Sequence, residues 1–152
     1  MNNDPILNFI KDFSNLLENS EDFDVKIKVG EEPNIKEFKV HSYILSARSV
    51  YFKTAFSPPW ARRENGIIIF NKPNISPSVF EILINYVYTG IFTSTGKNEI
   101  SLIDIFIAAD EIHLDIAQKI ERYLLKTESA WKFPKDFIAI YKYDFTDLIN
   151  LH

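Results

Sequence analysis

The sequence has no cysteine, so neither a disulfide framework nor a thiolate-based metal or redox site is available to it. Glycine occurs only four times, and no glycine-rich run is present that could wrap backbone amides around a phosphate. No serine lies in a G-x-S-x-G elbow. The three histidines, His41, His113 and His152, lie beyond helical reach of one another, which leaves no cluster at metal-ligand spacing. No apolar run approaches the roughly 20 residues that cross a bilayer, and Met1-Asn2-Asn3-Asp4 is unlike a secretory leader. Basic charge is thin as well. The 17 Lys and Arg against 21 Asp and Glu give a net charge of -4, and Arg62-Arg63 is a short basic run among scattered lysines. A nucleic-acid surface needs clustered cations to displace counterions. These absences predict no catalytic residues, metal or cofactor, and no small-molecule, nucleic-acid or membrane partner. The expected location is cytoplasmic or nuclear.

What is present reads as an ordinary globular chain. A length of 152 residues predicts one domain with a true core, at 46% hydrophobic and 25% charged residues. Thirteen Phe and seven Tyr are more rings than a core of this size demands, so some are expected in an interface. Asp4-Pro5 reads as a helix start, with a cap and a proline at the first position. Behind it Ile6, Phe9, Ile10, Phe13, Leu16 and Leu17 form one wide apolar stripe. Either the chain's own domain or a second copy of the chain has to cover that stripe; the pattern fits both.

Phe23, Val25, Ile27 and Val29 alternate with charged residues as a strand. Gly30 to Asn34 is turn chemistry, and Ile35 to Val40 returns as a second strand. Two short helices follow, the second capped by Ser49 and stopped by Pro58-Pro59. Ile67 to Phe70 is a buried strand between Gly66 and Pro73. Ser76-Pro77 opens a helix that Gly90 closes, with Phe80, Leu83, Ile84 and Val87 inward. Further helices are predicted near 101–110, near 115–126 and from about Lys135, the last with Phe137, Ile138 and Tyr141 inward. The pattern stays ordered from Asp144 to His152, which predicts a region beyond it. The expected core is Val25, Ile27, Phe38, Ile44, Leu45, Phe52, Ile68, Phe80, Leu83 and Phe106.

Three places invite a functional reading. His41, between apolar runs, is expected to hydrogen-bond backbone rather than act as a base, and His113 is read the same way. Asp24 stands at the start of an apolar alternation, where a carboxylate needs a partner such as local backbone amides. The segment Phe56-Ser57-Pro58-Pro59-Trp60-Ala61-Arg62 joins a helix to a strand and is predicted to be a surface loop. Two prolines stiffen it, and Trp60 with the arginines are residue types of interface hot spots. The alternative is that Trp60 folds back over the core.

The run Phe38-Lys39-Val40-His41-Ser42-Tyr43-Ile44-Leu45-Ser46-Ala47-Arg48-Ser49-Val50-Tyr51-Phe52-Lys53 resembles the signature of the BTB (POZ) domain. So do Asn74-Ile75-Ser76-Pro77, Val79 to Leu83 and the closing Tyr86-Val87-Tyr88-Thr89-Gly90. The resemblance covers about residues 20–126. It implies an α/β (α+β) fold, a short three-stranded sheet flanked by a cluster of helices, in a protein-interaction module without enzymatic activity. It divides the chain into an N-terminal dimerisation helix (1–19), the BTB domain (20–127) and the start of a C-terminal helical extension (128–152). It places Ile6, Phe9, Ile10, Phe13, Leu16, Leu17 and Asp24 at a homodimer interface. For adaptor members it implies recruitment of a cullin-3 ubiquitin-ligase scaffold, with substrate held by a downstream domain. The contacts would be Phe56, Pro58, Pro59, Trp60 and Arg62 in the loop and Leu102, Ile105 and Phe106 on a helix. The other function the resemblance implies is a dimerising scaffold or transcription-regulator platform without a cullin. Two positions depart from the family pattern. Arg62 stands where cullin-binding members carry glutamate, with Glu64 two residues on, and Ser42 stands where repressor members carry a basic residue.

Overall fold

A computed structural model describes residues 4–92 and 100–126. The chain divides into two compact units, Met1–Thr93 and Ser94–His152. The first contains α1 (Pro5–Asn19), β1 (Val25–Val29), β2 (Lys36–Val40), α2 (Ser42–Arg48), α3 (Val50–Ala55), β3 (Arg62–Glu64), β4 (Ile67–Lys72) and α4 (Pro77–Thr89). The second contains α5 (Leu102–Glu111) packed on α6 (Ile116–Lys126). The helix expected from Lys135, with Phe137, Ile138 and Tyr141, lies outside the described residues, as does the whole extension 128–152.

Helix boundaries follow side-chain chemistry. The Asp4 carboxylate accepts from the Ile6 N–H at 2.9 Å, the Ser76 hydroxyl accepts from Val79 at 3.3 Å, and the Ser49 hydroxyl accepts from Phe52 at 3.2 Å. Gly90 closes α4 in the left-handed conformation, its N–H on the Tyr86 carbonyl.

The sheet order is β2-β1-β4-β3. β1 and β2 form an antiparallel hairpin that sets Ile27 opposite Phe38, and β4 runs parallel to β1 with Ile27 opposite Phe70. Gly30 makes the first turn feasible. Its φ is +93°, and a Cβ there would lie 2.4 Å from the Asn34 carbonyl oxygen. Four strands are one more than expected. The addition is β3, antiparallel to β4 through the two-residue turn Asn65-Gly66, where both residues have positive φ. The region expected to be a loop therefore ends as an edge strand, and Arg62 belongs to it.

The inner face of the sheet carries the core of this unit. Val25, Ile27, Val29, Phe38, Val40 and Ile68 are buried with Leu45, Phe52, Phe80 and Leu83. Phe38 meets Phe80 edge-on with centroids 4.9 Å apart, and Phe52 stacks on Phe56 at 5.4 Å. Ile44 is the exception to the expected core: it is half-buried while Leu45 is fully buried. Neighbours on a helix point about 100° apart, so a seven-residue helix sends only one of the pair to the centre. Phe23 and Ile35, expected in strands, lie just outside them, and Ile35 is exposed.

Candidate interaction surfaces

The His41 region is a structural lock. His41 precedes α2 but makes no side-chain cap to it. Asp24 does that work from 18 residues upstream. One carboxylate oxygen accepts from the Ser42 N–H at 2.7 Å and the other from the Ser42 hydroxyl. The ring of His41 meanwhile ties two other segments together. Its Nε2 lies 2.5 Å from the Glu21 carbonyl oxygen, which can only accept, so Nε2 carries hydrogen. Nδ1 then accepts a hydrogen bond from the Tyr88 hydroxyl at 2.7 Å, while the Tyr88 oxygen accepts from the His41 backbone N–H at 2.9 Å. Burial pushes the Tyr88 phenol well above its ordinary pKa; the His41 N–H opposes this and the Asp24 charge adds to it. These hydrogen bonds join the segment before β1 to the start of α2 and the end of α4.

α1 presents the opposite situation. None of its 15 residues is buried. Ile6 is 69% exposed and Phe9 55%, Leu7 is exposed beside them, and Ile10, Phe13, Leu16 and Leu17 are only half-covered. The helix packs on α4 along one side. Phe9 and Phe13 lie with ring centroids 4.7 Å apart, which makes one continuous aromatic ridge. Asp24, expected beside such an interface, is half-buried and engaged with Ser42.

The segment after α3 separates into a buried and an exposed part. Phe56 is a core ring, edge-on to Phe70 at 5.9 Å, and is not available to a partner. The Ser57 carbonyl then accepts from both Trp60 and Ala61 at 3.0 Å, which tightens the chain into a turn. Pro58, Pro59 and Trp60 stand outward on that turn, and Trp60 is 76% exposed rather than folded over the core. Arg62 is exposed on β3 and pairs with Glu64, whose carboxyl it holds below the usual range. In the second unit Ile105 and Phe106 are buried, and Leu102 is half-buried, so it alone of the three offers partial surface.

Lys72 escaped the sequence reading. It is buried at the end of β4, with Nζ donating to the Tyr51 hydroxyl at 2.9 Å. Its signal was the inward parity it shares with Ile68 and Phe70 (period two).

Comparison with known proteins matches residues 13–129, most of the chain, to the BTB/POZ domain family. The chain belongs to the BTB/POZ family. The BTB domain of zebrafish PATZ1 superposes with a TM-score of 0.61 at 22% identity, covering 78% of this chain and 89% of that one, and so shares the fold. The human Kelch repeat and BTB domain-containing protein 4 is 28% identical over 60% of this chain and 16% of its own length. The Kelch repeat and BTB domain-containing protein 2 of horsepox virus is 31% identical over 78% of this chain and 20% of its own. The BTB/POZ and MATH domain-containing protein 3 of Arabidopsis thaliana is 27% identical over 75% and 28% respectively. The chain thus spans only between 16% and 28% of the length of these three relatives. The BTB/POZ fold is a protein–protein interaction module, which agrees with a lock region given over to structure and with exposed apolar side chains on α1 and at Trp60.

Proposed function

We propose that this BTB domain homodimerises through α1 and serves as an adaptor. The observation that carries the reading is a 15-residue helix with no buried residue and an apolar ridge from Ile6 through Phe9 to Phe13. Full burial of an aliphatic or aromatic side chain is worth about 1.5–3 kcal/mol, so covering several of these against a second copy favours association. Replacing Phe9 and Phe13 with Asp tests the surface. Sedimentation of the double variant should show monomer with an unchanged circular dichroism spectrum, because neither side chain is part of the core. A variant that sediments like the wild type would remove α1 from the interface.

The adaptor half of the proposal rests on Trp60. A rigid exposed indole on a proline-stiffened turn suits a hot spot, and a cullin-3-type scaffold is the partner the family resemblance implies. The named relatives join their BTB domain to Kelch repeats or a MATH domain, and a substrate-holding region of that kind completes the proposal. Arg62 favours the competing scaffold reading without a cullin. Its pairing with Glu64 leaves no free carboxylate at the family position, and a mismatched charge at a desolvated contact costs affinity.

A further inference from the structure

The outer face of the sheet is built unlike the rest of this acidic chain. Strand register sets Lys39, Lys26, Ile69 and Arg62 in one row across all four strands. The row spans about 14 Å at the usual strand spacing of about 4.8 Å. A second row holds Glu37, Lys28 and Asn71, and Ile67 lies opposite Glu64 beyond the first. Every one of these side chains is partly or wholly exposed, whereas the alternating inner residues Val25, Ile27, Val29, Val40 and Ile68 are buried.

The charges on this face are poorly matched to one another. Lys26 and Lys39 stand directly opposite on neighbouring strands, an arrangement that is destabilising between like charges. Both ammonium groups lie over the single ring of Phe23, at 6.0 and 5.2 Å, and neither forms an ion pair among the described residues. Lys28 by contrast faces Glu37 across the hairpin, and Arg62 pairs with Glu64. Beside this excess positive charge, Phe23, Ile67 and Ile69 are half-covered apolar groups. A chain of net charge -4 thus sets a like-charge lysine pair, Lys26 and Lys39, beside an apolar strip on one sheet face.

We propose that this face is a docking site for an acidic protein segment carrying apolar side chains, whose carboxylates bridge Lys26 and Lys39 while its apolar groups cover Ile67 and Ile69. The groups it uses, Lys26, Lys39, Ile67 and Ile69, lie on β1, β2 and β4 rather than on the Ile6–Phe13 ridge of α1, so the dimer and this site can be tested by different substitutions. The occupant is a peptide rather than a membrane or nucleic acid, because Glu37 and Glu64 border the lysines and would repel a continuous anionic surface.

The test is fluorescence anisotropy of the full chain with two labelled peptides. One alternates glutamate with leucine, and the other has serine in place of leucine. Phosphatidylserine vesicles serve as a third probe. The glutamate–leucine peptide should bind, at least about tenfold more tightly than its serine counterpart. The K26Q/K39Q variant should weaken it by about tenfold or more while its thermal midpoint stays level or rises, since a like-charge pair is removed. F9D/F13D should leave binding unchanged. Absence of peptide binding, equal affinity for the two peptides, affinity unaltered by K26Q/K39Q, or lysine-dependent binding of vesicles alone would each overturn the proposal.

Discussion

Asp24, Tyr88 and Phe80 show what single side chains contribute here, and each makes a separate claim. Asp24 replaces a local cap for α2, so Asp24→Ala should cost about 0.5–2 kcal/mol, the usual value of a lost N-cap. Asp24→Asn, which keeps one acceptor, should recover part of it; urea denaturation measures both. Tyr88 makes stability depend on alkaline pH. Its folded pKa lies above the unfolded value of about 10, so above that pH the unfolded chain binds fewer protons than the native one. Stability should therefore be intact below about pH 10 and decline as pH rises further. Thermal midpoints of Tyr88→Phe against wild type should show a shallower alkaline decline in the variant. Phe80 is fully buried against Phe38, and Phe80→Ala should cost about 3–5 kcal/mol by chemical denaturation. An unchanged midpoint would contradict the packing described.

Among the elements, those with strong local chemistry were legible in the sequence. Asp4-Pro5 announces α1, Ser76-Pro77 and Gly90 bracket α4, and the alternation from Val25 to Val29 is β1. β3 was not legible from periodicity, because its residues Arg62, Arg63 and Glu64 are all charged and exposed. Charged residues suit an edge strand, which must discourage pairing with other chains. The signal was the following Asn65-Gly66, a hairpin turn rather than a mere boundary. Phe56 was misplaced for a related reason. Its ring belongs to the cluster of Phe52 and Phe70, while the backbone leaves the helix at that residue. Sequence proximity to Pro58 and Trp60 says nothing about that divergence. The corrected element yields its own prediction. Trp60→Ala should weaken binding to a cullin N-terminal region by at least about 2 kcal/mol, roughly thirtyfold, with the domain still folded. Arg62→Glu should strengthen it. Titration calorimetry showing no heat with either form would leave the scaffold reading standing.

For the whole molecule, the division between structure and function follows burial. The inner sheet face, α4 and the lock around His41 are committed to the fold, whereas α1, the Trp60 turn and the outer sheet face present groups that the first unit does not cover. The apolar stripe of α1 was visible in the sequence, but periodicity identifies a face and not what covers it. Packing on α4 covers one side of the stripe and leaves Ile6 and Phe9 mostly exposed, which is what the proposed dimer rests on. The proposed two-fold dimer would cover this apolar ridge with the same helix of a second copy. The most direct measurement is the mass of the unmodified chain by light scattering at micromolar concentration. Dimerisation through α1 predicts about twice the chain mass of 17.7 kDa, and a mass that stays at 17.7 kDa under those conditions would contradict it.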